Sequence, residues 1–381
     1  MRFPEFCEEW MRCTLGDITE NFSRRNKEEI LYPMFSVTNN KGFIPQSEQF
    51  EDREMIGEDI KAYKIIHKDD FAYNPARINV GSIAKYNEEN PCMISSLYVC
   101  FKTNPKIDND WMMQLLKTPK MNFYYNINGE GGVRIYLFYP NFARIKTSYP
   151  TLKEQQKISS FLTLLDERIS TQNKIIEDLK KLKVAITQKI SKDKSNKKVL
   201  LSELLTERCE KNKDLYPVHS VSVSEGIINQ IDYLGRSFAA NDISNYNVVY
   251  YGDIVYTKSP TGDFPYGIVK MNSINAKVSV SPLYGVYHPS SEYVGIYLHN
   301  YFSNSLNAKN YLHKLIQKGA KNTINITNKR FLENEISLPN EALLKEYSLF
   351  ISTFDLKIKS EQKALLLLQK QKEYLLQQMF I

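Results

Sequence analysis

One pattern occurs twice in this chain, and the internal repeat constrains the fold more than any other feature. Residues 31–46 read LYPMFSVTNNKGFIPQ, and residues 215–230 read LYPVHSVSVSEGIINQ. Further along, SSLYVCF at 95–101 corresponds to SPLYGVY at 281–287. A repeat of this length indicates that one set of supersecondary units is built twice. We therefore expect two similar globular units in the 381 residues, in agreement with about 150 residues per domain.

Each copy ends in a long segment with the periodicity of an amphipathic helix. The segments begin at Tyr149 and Leu338, and their apolar residues coincide at a constant offset of 189 positions. Spacings of three, four and seven residues keep one helical face apolar, and no internal Gly or Pro interrupts it. Matching apolar stripes favour pairing of the two helices over the alternative, in which each helix packs only on its own globular unit. A pseudo-two-fold relation makes the pair antiparallel, and we place six residues in the shared seam: Phe161, Leu165, Leu179, Phe350, Phe354 and Leu368.

These patterns divide the chain into four parts. A globular unit covers 1–148, a helix with a polar, basic linker covers 149–198, a second globular unit covers 199–337, and a second helix covers 338–381. Short β-rich runs alternate with helical patterns inside both globular units. We predict the α+β class, with a pseudo-two-fold internal repeat and two globular units separated by two long antiparallel helices in a coiled-coil-like pair.

Sequence signatures of catalysis are missing. The GEGGV stretch at 129–133 lacks the G-x-G-x-x-G order, and the chain contains no P-loop, G-x-S-x-G elbow or H-E-x-x-H motif. The five cysteines include no C-x-x-C pair, which favours reduced thiols over a zinc site or a disulfide framework. We expect no catalytic residue and no metal site in this chain.

The sequence also lacks the features of a membrane or secreted protein. No apolar run reaches the roughly 20 residues that span a bilayer. The N-terminal stretch MRFPEFCEEWMRC contains acidic residues where a signal peptide needs an apolar segment. We therefore expect a cytoplasmic protein.

Positive charge is concentrated at equivalent places in the two globular units. Residues 309–330 contain six basic residues and no acidic one, and residues 117–146 contain five basic residues against Glu130. Lys and Arg supply affinity for phosphates, and Arg, Asn and Gln can also read base edges. A solvated helix face is the alternative, but the duplication favours double-stranded DNA. We predict eight DNA-binding residues: Arg77, Ser82, Lys120, Arg134, Lys258, Lys318, Lys321 and Arg330.

Over its whole length the chain resembles the specificity (S) subunit of bacterial type I restriction-modification systems. The opening RFPEF, followed by TLGDI, and the stretch YPTLKEQQKISSFLTLLDERI at 149–169 are typical of that family. The phrases AYNPARINVGSIA at 72–84 and GEGGVRIYLFYPNFARIKTSYP at 129–150 are typical as well. The second half departs from this pattern, since VYTKSPTGDFPYGIVK at 255–270 and KGAKNTINITNKRF at 318–331 replace the corresponding phrases.

The resemblance implies a function and a set of partners. Each globular unit would be a target-recognition domain that reads one half of a split, asymmetric DNA target, and the paired helices would set the separation of the halves. The chain would bind two modification (methyltransferase) subunits and restriction (translocase/endonuclease) subunits. S-adenosylmethionine, ATP and magnesium would belong to those partners, so this chain would be a non-catalytic subunit of a site-specific DNA methyltransferase/endonuclease and would hold no cofactor itself.

Two alternatives from other functional classes remain open. The chain could be a helical scaffold whose globular units bind proteins without reading DNA sequence. It could also be a fused enzyme with its own methylation or nuclease activity, although an N-P-P-[FY] adenine-methylation motif is absent from the sequence.

Overall fold

A computed structural model describes residues 2–49, 60–132, 134–236, 239–240, 242–318 and 324–380. The chain forms two compact units. Unit 1 combines the residues up to Asn173 with those from Lys363 onward, and unit 2 comprises Lys174–Gln362. Each unit therefore contains a globular part and a segment of both long helices. The linear division at residues 148, 198 and 337 stays a prediction.

Unit 1 is built mainly from short strands and short helices before the first long helix begins. The elements are β1 (Met11–Thr14), α1 (Leu15–Ile18), β2 (Thr19–Phe22), β3 (Phe35–Thr38), β4 (Gly42–Pro45), α2 (Gln46–Gln49), β5 (Lys64–Ile66), β6 (Phe71–Tyr73), β7 (Ile83–Lys85), β8 (Cys92–Ile94), β9 (Val99–Thr103), α3 (Asn109–Leu116), α4 (Pro119–Asn128), α5 (Tyr139–Ala143), β10 (Lys146–Tyr149) and the long helix α6 (Leu152–Ser191).

The second half of the chain follows this order, with β20 and β21 in addition, up to the second long helix. The elements are β11 (Lys197–Leu200), α7 (Leu201–Leu204), β12 (Leu205–Glu207), β13 (His219–Ser222), β14 (Gly226–Asn229), α8 (Gln230–Leu234), β15 (Asn247–Val249), β16 (Ile254–Tyr256), β17 (Val269–Met271), β18 (Val278–Val280), β19 (Gly285–Pro289), α9 (Glu292–Ser303), α10 (Ser305–His313), β20 (Gln317–Lys318), β21 (Ile324–Asn325), α11 (Asn328–Phe331), β22 (Glu335–Leu338) and α12 (Glu341–Met379).

The two units share one sheet topology, and the predicted α+β repeat is confirmed. The antiparallel sheet β2-β9-β6-β7 of unit 1 corresponds to β12-β19-β16-β17 of unit 2. Alternate residues of a strand point to opposite sides of a sheet. In the central strands, side chains on both sides are buried. Phe71 and Tyr73 enter the larger core of unit 1, whereas Ala72 enters a smaller one.

An ion pair between an arginine and a buried aspartate recurs at equivalent positions in the two units. Arg24 Nη1 donates to Asp70 Oδ2 at 2.8 Å, and Arg208 Nε donates to Asp253 Oδ2 at 2.7 Å. Each of these carboxylates also accepts a backbone N–H, from His67 in unit 1 and from Tyr250 in unit 2. The repeat therefore extends to individual hydrogen bonds.

Both long helices have a stripe of low exposure with heptad spacing. The stripe comprises ten buried or half-buried positions in each helix, separated alternately by four and three residues: 158, 162, 165, 169, 172, 176, 179, 183, 186 and 190 in α6, and 347, 351, 354, 358, 361, 365, 368, 372, 375 and 379 in α12. The average step of 3.5 residues is that of a coiled coil. Every position in α12 is 189 residues after its counterpart in α6, so the repeat preserves the stripe.

Segments of the two helices run antiparallel, as predicted. In unit 2, Lys183 Nζ contacts Asp355 Oδ1 at 2.6 Å, and the Thr187 hydroxyl lies 2.8 Å from that of Tyr347. The residue numbers thus rise along α6 while they fall along α12. In unit 1, the equivalent pair joins Lys372 Nζ to Asp166 Oδ1 at 2.5 Å.

Two residues assigned to the helix seam require correction. Phe161 is 39% exposed and Phe350 is 46% exposed, whereas their neighbours Leu162 and Ile351 are fully buried. Both helices contain adjacent apolar residues at this point, so the sequence pattern did not distinguish two faces about 100° apart. The other four assigned residues, Leu165, Leu179, Phe354 and Leu368, occupy stripe positions and are buried or half-buried.

Each globular core incorporates residues of both helices. In unit 1, Ile158 and Leu162 of α6 join Leu375 and Met379 of α12. In unit 2, Ile351 of α12 belongs to the core, and Ile186 and Ile190 of α6 pack against it. Pairing between helices and packing on the globular parts were posed as alternatives, but the structure combines them.

Candidate nucleic-acid interface

A cavity of about 610 Å³ opens on unit 1, and we call it the reading cavity. It lies where the turn after β3, the start of α2 and the loops that follow β6 and β8 meet. Nine of its eleven lining residues have side chains that can form hydrogen bonds, and the full lining is Ser36, Val37, Thr38, Asn39, Gln46, Asn74, Arg77, Ser82, Ser95, Leu97 and Tyr98. Amide and guanidinium groups of this kind can read the edges of bases.

The loop after β6 positions Arg77 at this cavity. The Asn74 side chain accepts the Ala76 N–H at 3.0 Å, and the Arg77 N–H donates to the Asn74 carbonyl at 3.0 Å. Gly81 closes the loop with φ +97°, a left-handed conformation that favours glycine. The NPARINVG phrase therefore folds into a compact loop that leaves the Arg77 side chain exposed.

Ser82 has a structural position, which corrects its assignment as a DNA contact. Its side chain is only 3% exposed, and its hydroxyl donates to the Val37 carbonyl at 2.7 Å. At the equivalent place in unit 2 lies Ile268, which is 2% exposed. Ser82 thus ties the loop after β6 to β3 and supports the wall of the cavity.

Gln46 is a cavity residue that the sequence analysis missed. Its Nε2 donates to Ser36 Oγ at 3.3 Å, and Gln230 Nε2 donates to Ser220 Oγ at the same distance in unit 2. The signal was available, since both pairs lie within the repeated phrase of sixteen residues. The sequence analysis selected mainly basic residues as DNA contacts. The matched glutamines of the two repeats indicated this cavity residue more directly.

A second cavity of about 500 Å³, which we call the basic cavity, contains the predicted residue Lys120. Its lining combines four cations with two rings and one exposed acid: Arg2, Glu9, Trp10, Arg12, Lys120, Tyr124, Lys146, Thr147 and Ser148. Arg2 is fixed in place, because its Nε and Nη2 each donate to the buried carboxylate of Glu154 at 2.7 Å. The side chains of Arg12, Lys120 and Lys146 are exposed and suited to phosphate oxygens.

The other predicted residues have diverse environments. Arg134 is exposed in the turn closed by the pairing of Glu130 with Tyr136. Lys258 is half-buried, and its burial lowers the pKa of its ammonium group, while Glu207 opposes that shift. Arg330, in α11, forms an ion pair with Glu333.

Two predicted residues of unit 2 cannot be assigned a side-chain environment. Lys318 lies in β20, with only its backbone described, and Lys321 falls outside the described residues. The assignment of the eight residues to DNA binding stays a prediction, apart from the correction at Ser82.

Unit 2 also contains a cluster of charged side chains around Tyr250 that the sequence analysis did not identify, in which Arg208 pairs with Asp253 and the Tyr250 hydroxyl donates to Glu210. The Tyr250 ring is contacted by Arg208, whose Cζ lies 4.1 Å from the ring centroid, and by Lys277, whose Nζ lies 4.5 Å from it. Nearby, Lys211 Nζ donates to Asn247 Oδ1 at 2.7 Å. These side chains come from three stretches of the chain, at 208–211, 247–250 and 277, so no single stretch of sequence showed the cluster.

Comparisons with known proteins show what this chain is similar to. Residues 7–181 match the family described as the type I restriction modification DNA specificity domain. This part of the chain, a little under half of its length, is thus similar to type I specificity subunits. A protein of Methanocaldococcus jannaschii named as the type I restriction enzyme MjaX specificity subunit is 26% identical over 198 residues, which cover 49% of this chain and 46% of that protein. The chain thus spans about half the length of this relative.

Solved structures show the same fold over nearly the whole chain. The S subunit of a type I restriction-modification system from M. genitalium has a TM-score of 0.57 and 13% identity, and the match covers 98% of this chain and 96% of that one. A structure titled for complex assembly and conformational transition of the type I R-M system has the same TM-score and identity, with 99% and 98% covered. At this identity the likeness establishes the fold alone.

The part of the chain that the structure describes has neither a membrane-spanning helix nor a metal-binding cluster. None of the helices there has the length and apolar character needed to cross a membrane. In the same part of the chain, no group of three or more His, Cys, Asp or Glu side chains is arranged to hold a metal ion.

Proposed function

We propose that this chain is the sequence-specific DNA-binding subunit of a type I restriction-modification complex. Each unit reads one half of a bipartite, asymmetric DNA target. The reading cavity carries the proposal, because Asn39, Gln46, Asn74 and Arg77 converge there from three separate segments. Their amide and guanidinium groups match the donors and acceptors on base edges.

The basic cavity supplies the complementary contribution to binding. Phosphate contacts position a protein on the duplex and provide affinity that depends on salt, whereas base contacts provide specificity. Lys120 and its cationic neighbours are suited to the first task, and the lining of the reading cavity is suited to the second. Unit 1 therefore has both parts of a DNA reader.

The assembly and its cofactors follow from the family. The paired helices set the separation of the half-sites and, with the globular parts, bind two modification subunits and the restriction subunits. S-adenosylmethionine, ATP and magnesium are held by those subunits, and this chain contributes no catalytic residue to DNA methylation or cleavage. We propose that the complex acts in the cytoplasm.

Methylome sequencing tests the proposal directly. The gene is expressed with its modification subunit in cells that lack other adenine methylation, and single-molecule sequencing maps the methylated positions. We expect one split, asymmetric motif with a constant spacer, and expect its methylation to disappear when this gene alone is deleted.

Binding assays distinguish this function from the two alternatives. A protein scaffold would leave the modification complex with no preference for that motif over a scrambled duplex at physiological salt. Methyl transfer or cleavage by the purified chain without partners would indicate a fused enzyme. Either result would overturn the proposal.

The helices can be tested as a spacer by matched insertions. One heptad is added to α6 after Lys174 and one to α12 after Lys363, which are equivalent positions 189 residues apart. Seven residues add about 10 Å of helix, or about three base pairs of DNA, and preserve the stripe. We expect unchanged half-sites with a longer spacer. An unchanged spacer would show that the helices do not set the separation.

A further inference from the structure

A leucine side chain projects into solvent from an equivalent turn in each unit. Leu97 is 80% exposed in the turn between β8 and β9, and Leu283 is 71% exposed in the turn between β18 and β19. The two turns have the same conformation and the same sequence of half-buried and exposed positions over four residues. Apolar exposure of this extent carries a hydration cost that burial against a partner removes.

The turns are braced, so the exposed side chains are held in a defined direction. Ser95 Oγ accepts the Leu97 N–H at 3.4 Å, and Ser281 Oγ accepts the Leu283 N–H at 3.3 Å. The N–H of the following tyrosine donates to the serine carbonyl at 3.2 Å in unit 1 and at 3.0 Å in unit 2. Both units thus retain the same hydrogen bonds around one apolar tip.

A side chain on the neighbouring strand anchors each turn from below. Lys64 Nζ donates to the Tyr98 carbonyl at 2.6 Å in unit 1. In unit 2, Asn247 Nδ2 donates to the Tyr284 carbonyl at 2.9 Å. The residue types differ, but the anchor is retained, so both units hold this turn at an equivalent place on the sheet.

The surroundings of the leucines indicate a nucleic acid. Leu97 lies on the wall of the reading cavity beside Arg77, Asn74 and Tyr98. Near Leu283, the ammonium group of Lys211 contacts the anchoring Asn247. A protein-docking surface would present a contiguous apolar patch, whereas here one apolar side chain stands among hydrogen-bonding and cationic groups.

We propose that Leu97 and Leu283 are wedges, each of which inserts between two base pairs of one half-site and unstacks that step. Apolar side chains used in this way kink a duplex, and the cost of unstacking is offset by the contacts that bent DNA permits. Pyrimidine–purine steps unstack most readily. The wedge would therefore favour a flexible step in each half-site without contacting a base edge. This inference rests on the proposed function in DNA recognition.

The test uses the complete complex of this chain with its modification subunits and the duplex identified by methylome sequencing. 2-Aminopurine is placed at successive positions in each half-site, because its fluorescence rises when it is unstacked. We expect wild type to raise the fluorescence at one step in each half. Leu97→Ala should abolish the rise in one half only, and Leu283→Ala in the other.

Affinity and salt dependence provide a second readout. Each alanine variant should bind the target about tenfold more weakly, as loss of the buried apolar area of one side chain predicts. The slope of affinity against salt should remain unchanged, because no phosphate contact is removed. Leu97→Met should show the same fluorescence change as wild type, since a long apolar side chain is retained.

Leu31 and Leu215 are matched controls within the same repeat. They are 72% and 62% exposed at equivalent positions, and Leu31 is not part of the lining of the reading cavity. Leu31→Ala and Leu215→Ala should behave like wild type in both assays.

The possible failures are distinguishable. If the wild-type complex prefers its target but Leu97→Ala and Leu283→Ala retain the full fluorescence change, the wedge is refuted while the proposed function stands. If the variants instead lose the modification subunits in the absence of DNA, the leucines are protein contacts. A wild-type complex without any sequence preference refutes the proposed function itself.

Discussion

Units 1 and 2 share the residues that hold their loops in place and differ in the loops themselves. Gly81 and Gly267 both close the loop between a central strand and the following edge strand of the sheet, with φ of +97° and +101°. The loop spans residues 74–82 in unit 1 and residues 257–268 in unit 2, where it is three residues longer. Arg77 belongs to the shorter loop. The comparison shows that one backbone frame can carry loops of different length and chemical character.

The frames also differ at one buried position. Ala84 in β7 of unit 1 is replaced in β17 of unit 2 by Lys270, which is 6% exposed. The Lys270 ammonium group lies 3.3 Å from Ser303 Oγ. His299 lies beside it, with burial lowering the pKa of its imidazole to about 3. Unit 2 therefore carries an unfavourable buried charge that unit 1 lacks.

The buried ion pair should show the largest difference between the units. Asp253 is fully buried and binds two nitrogens of Arg208, whereas the Asp70 side chain is 9% exposed and binds one nitrogen of Arg24. Asp253→Ala should lower the free energy of unfolding of unit 2 by about 3–5 kcal/mol, because it leaves a partly buried arginine unpaired. Asp70→Ala should lower that of unit 1 by less. Hydrogen exchange of the amides in β16 and β6 measures each unit separately, and equal losses would contradict the comparison.

The helix stripe should respond alike in both units. Leu162→Ala in unit 1 and Ile351→Ala in unit 2 each remove a fully buried side chain at equivalent positions, so each should cost about 2–5 kcal/mol. Phe161→Ala is the control, because that side chain is 39% exposed and should cost much less. Denaturant unfolding followed by circular dichroism provides the values. A larger loss at Phe161 than at Leu162 would show that the stripe is assigned to the wrong face.

The cavities of unit 1 should separate sequence reading from phosphate binding. Arg77→Ala should cost about 1–3 kcal/mol of binding free energy and relax specificity at one position of one half-site. Lys120→Ala should weaken binding to all sequences and reduce the salt slope by about one. Fluorescence anisotropy with single-base target variants measures both effects. If Arg77→Ala weakens every variant equally, it contacts phosphate and the reading cavity is misassigned.

The buried lysine of unit 2 should give the smallest effect, and it depends on pH. Burial, together with the nearby Lys183, lowers the pKa of Lys270 to about 8, whereas the unfolded chain keeps the value near 10.5. Between these values the unfolded state binds more protons, so the free energy of unfolding should rise with pH across that window. Lys270→Ala reproduces the residue of unit 1 and should flatten the rise. Urea unfolding at pH 7, 8.5 and 10 checks this, and a rise that persists in the variant would exclude Lys270 as its source.

Much of the architecture was accessible from the sequence, because a repeat and a helical period are local patterns. The phrase shared by 31–46 and 215–230 predicted two similar units, and the apolar spacings predicted two long helices. The helices are observed at Leu152–Ser191 and Glu341–Met379, and in each unit their segments pack antiparallel. Arg77 was predicted from its phrase and lines the reading cavity. The loop that presents it is continuous in sequence, so a local pattern was sufficient.

The tertiary structure alone decided which of these residues are available. Ser82 and Arg77 belong to one loop. Ser82 is buried and donates a hydrogen bond to Val37, 45 residues away, whereas Arg77 is exposed. Phe161 and Leu162 are both apolar, and only the partner helix and the globular core determine which one is enclosed. Leu97 and Arg77 line the same cavity. They meet there because strands that are far apart in the chain pair with each other. Local patterns determine the elements, whereas burial and convergence depend on contacts between distant residues, which one sequence does not specify.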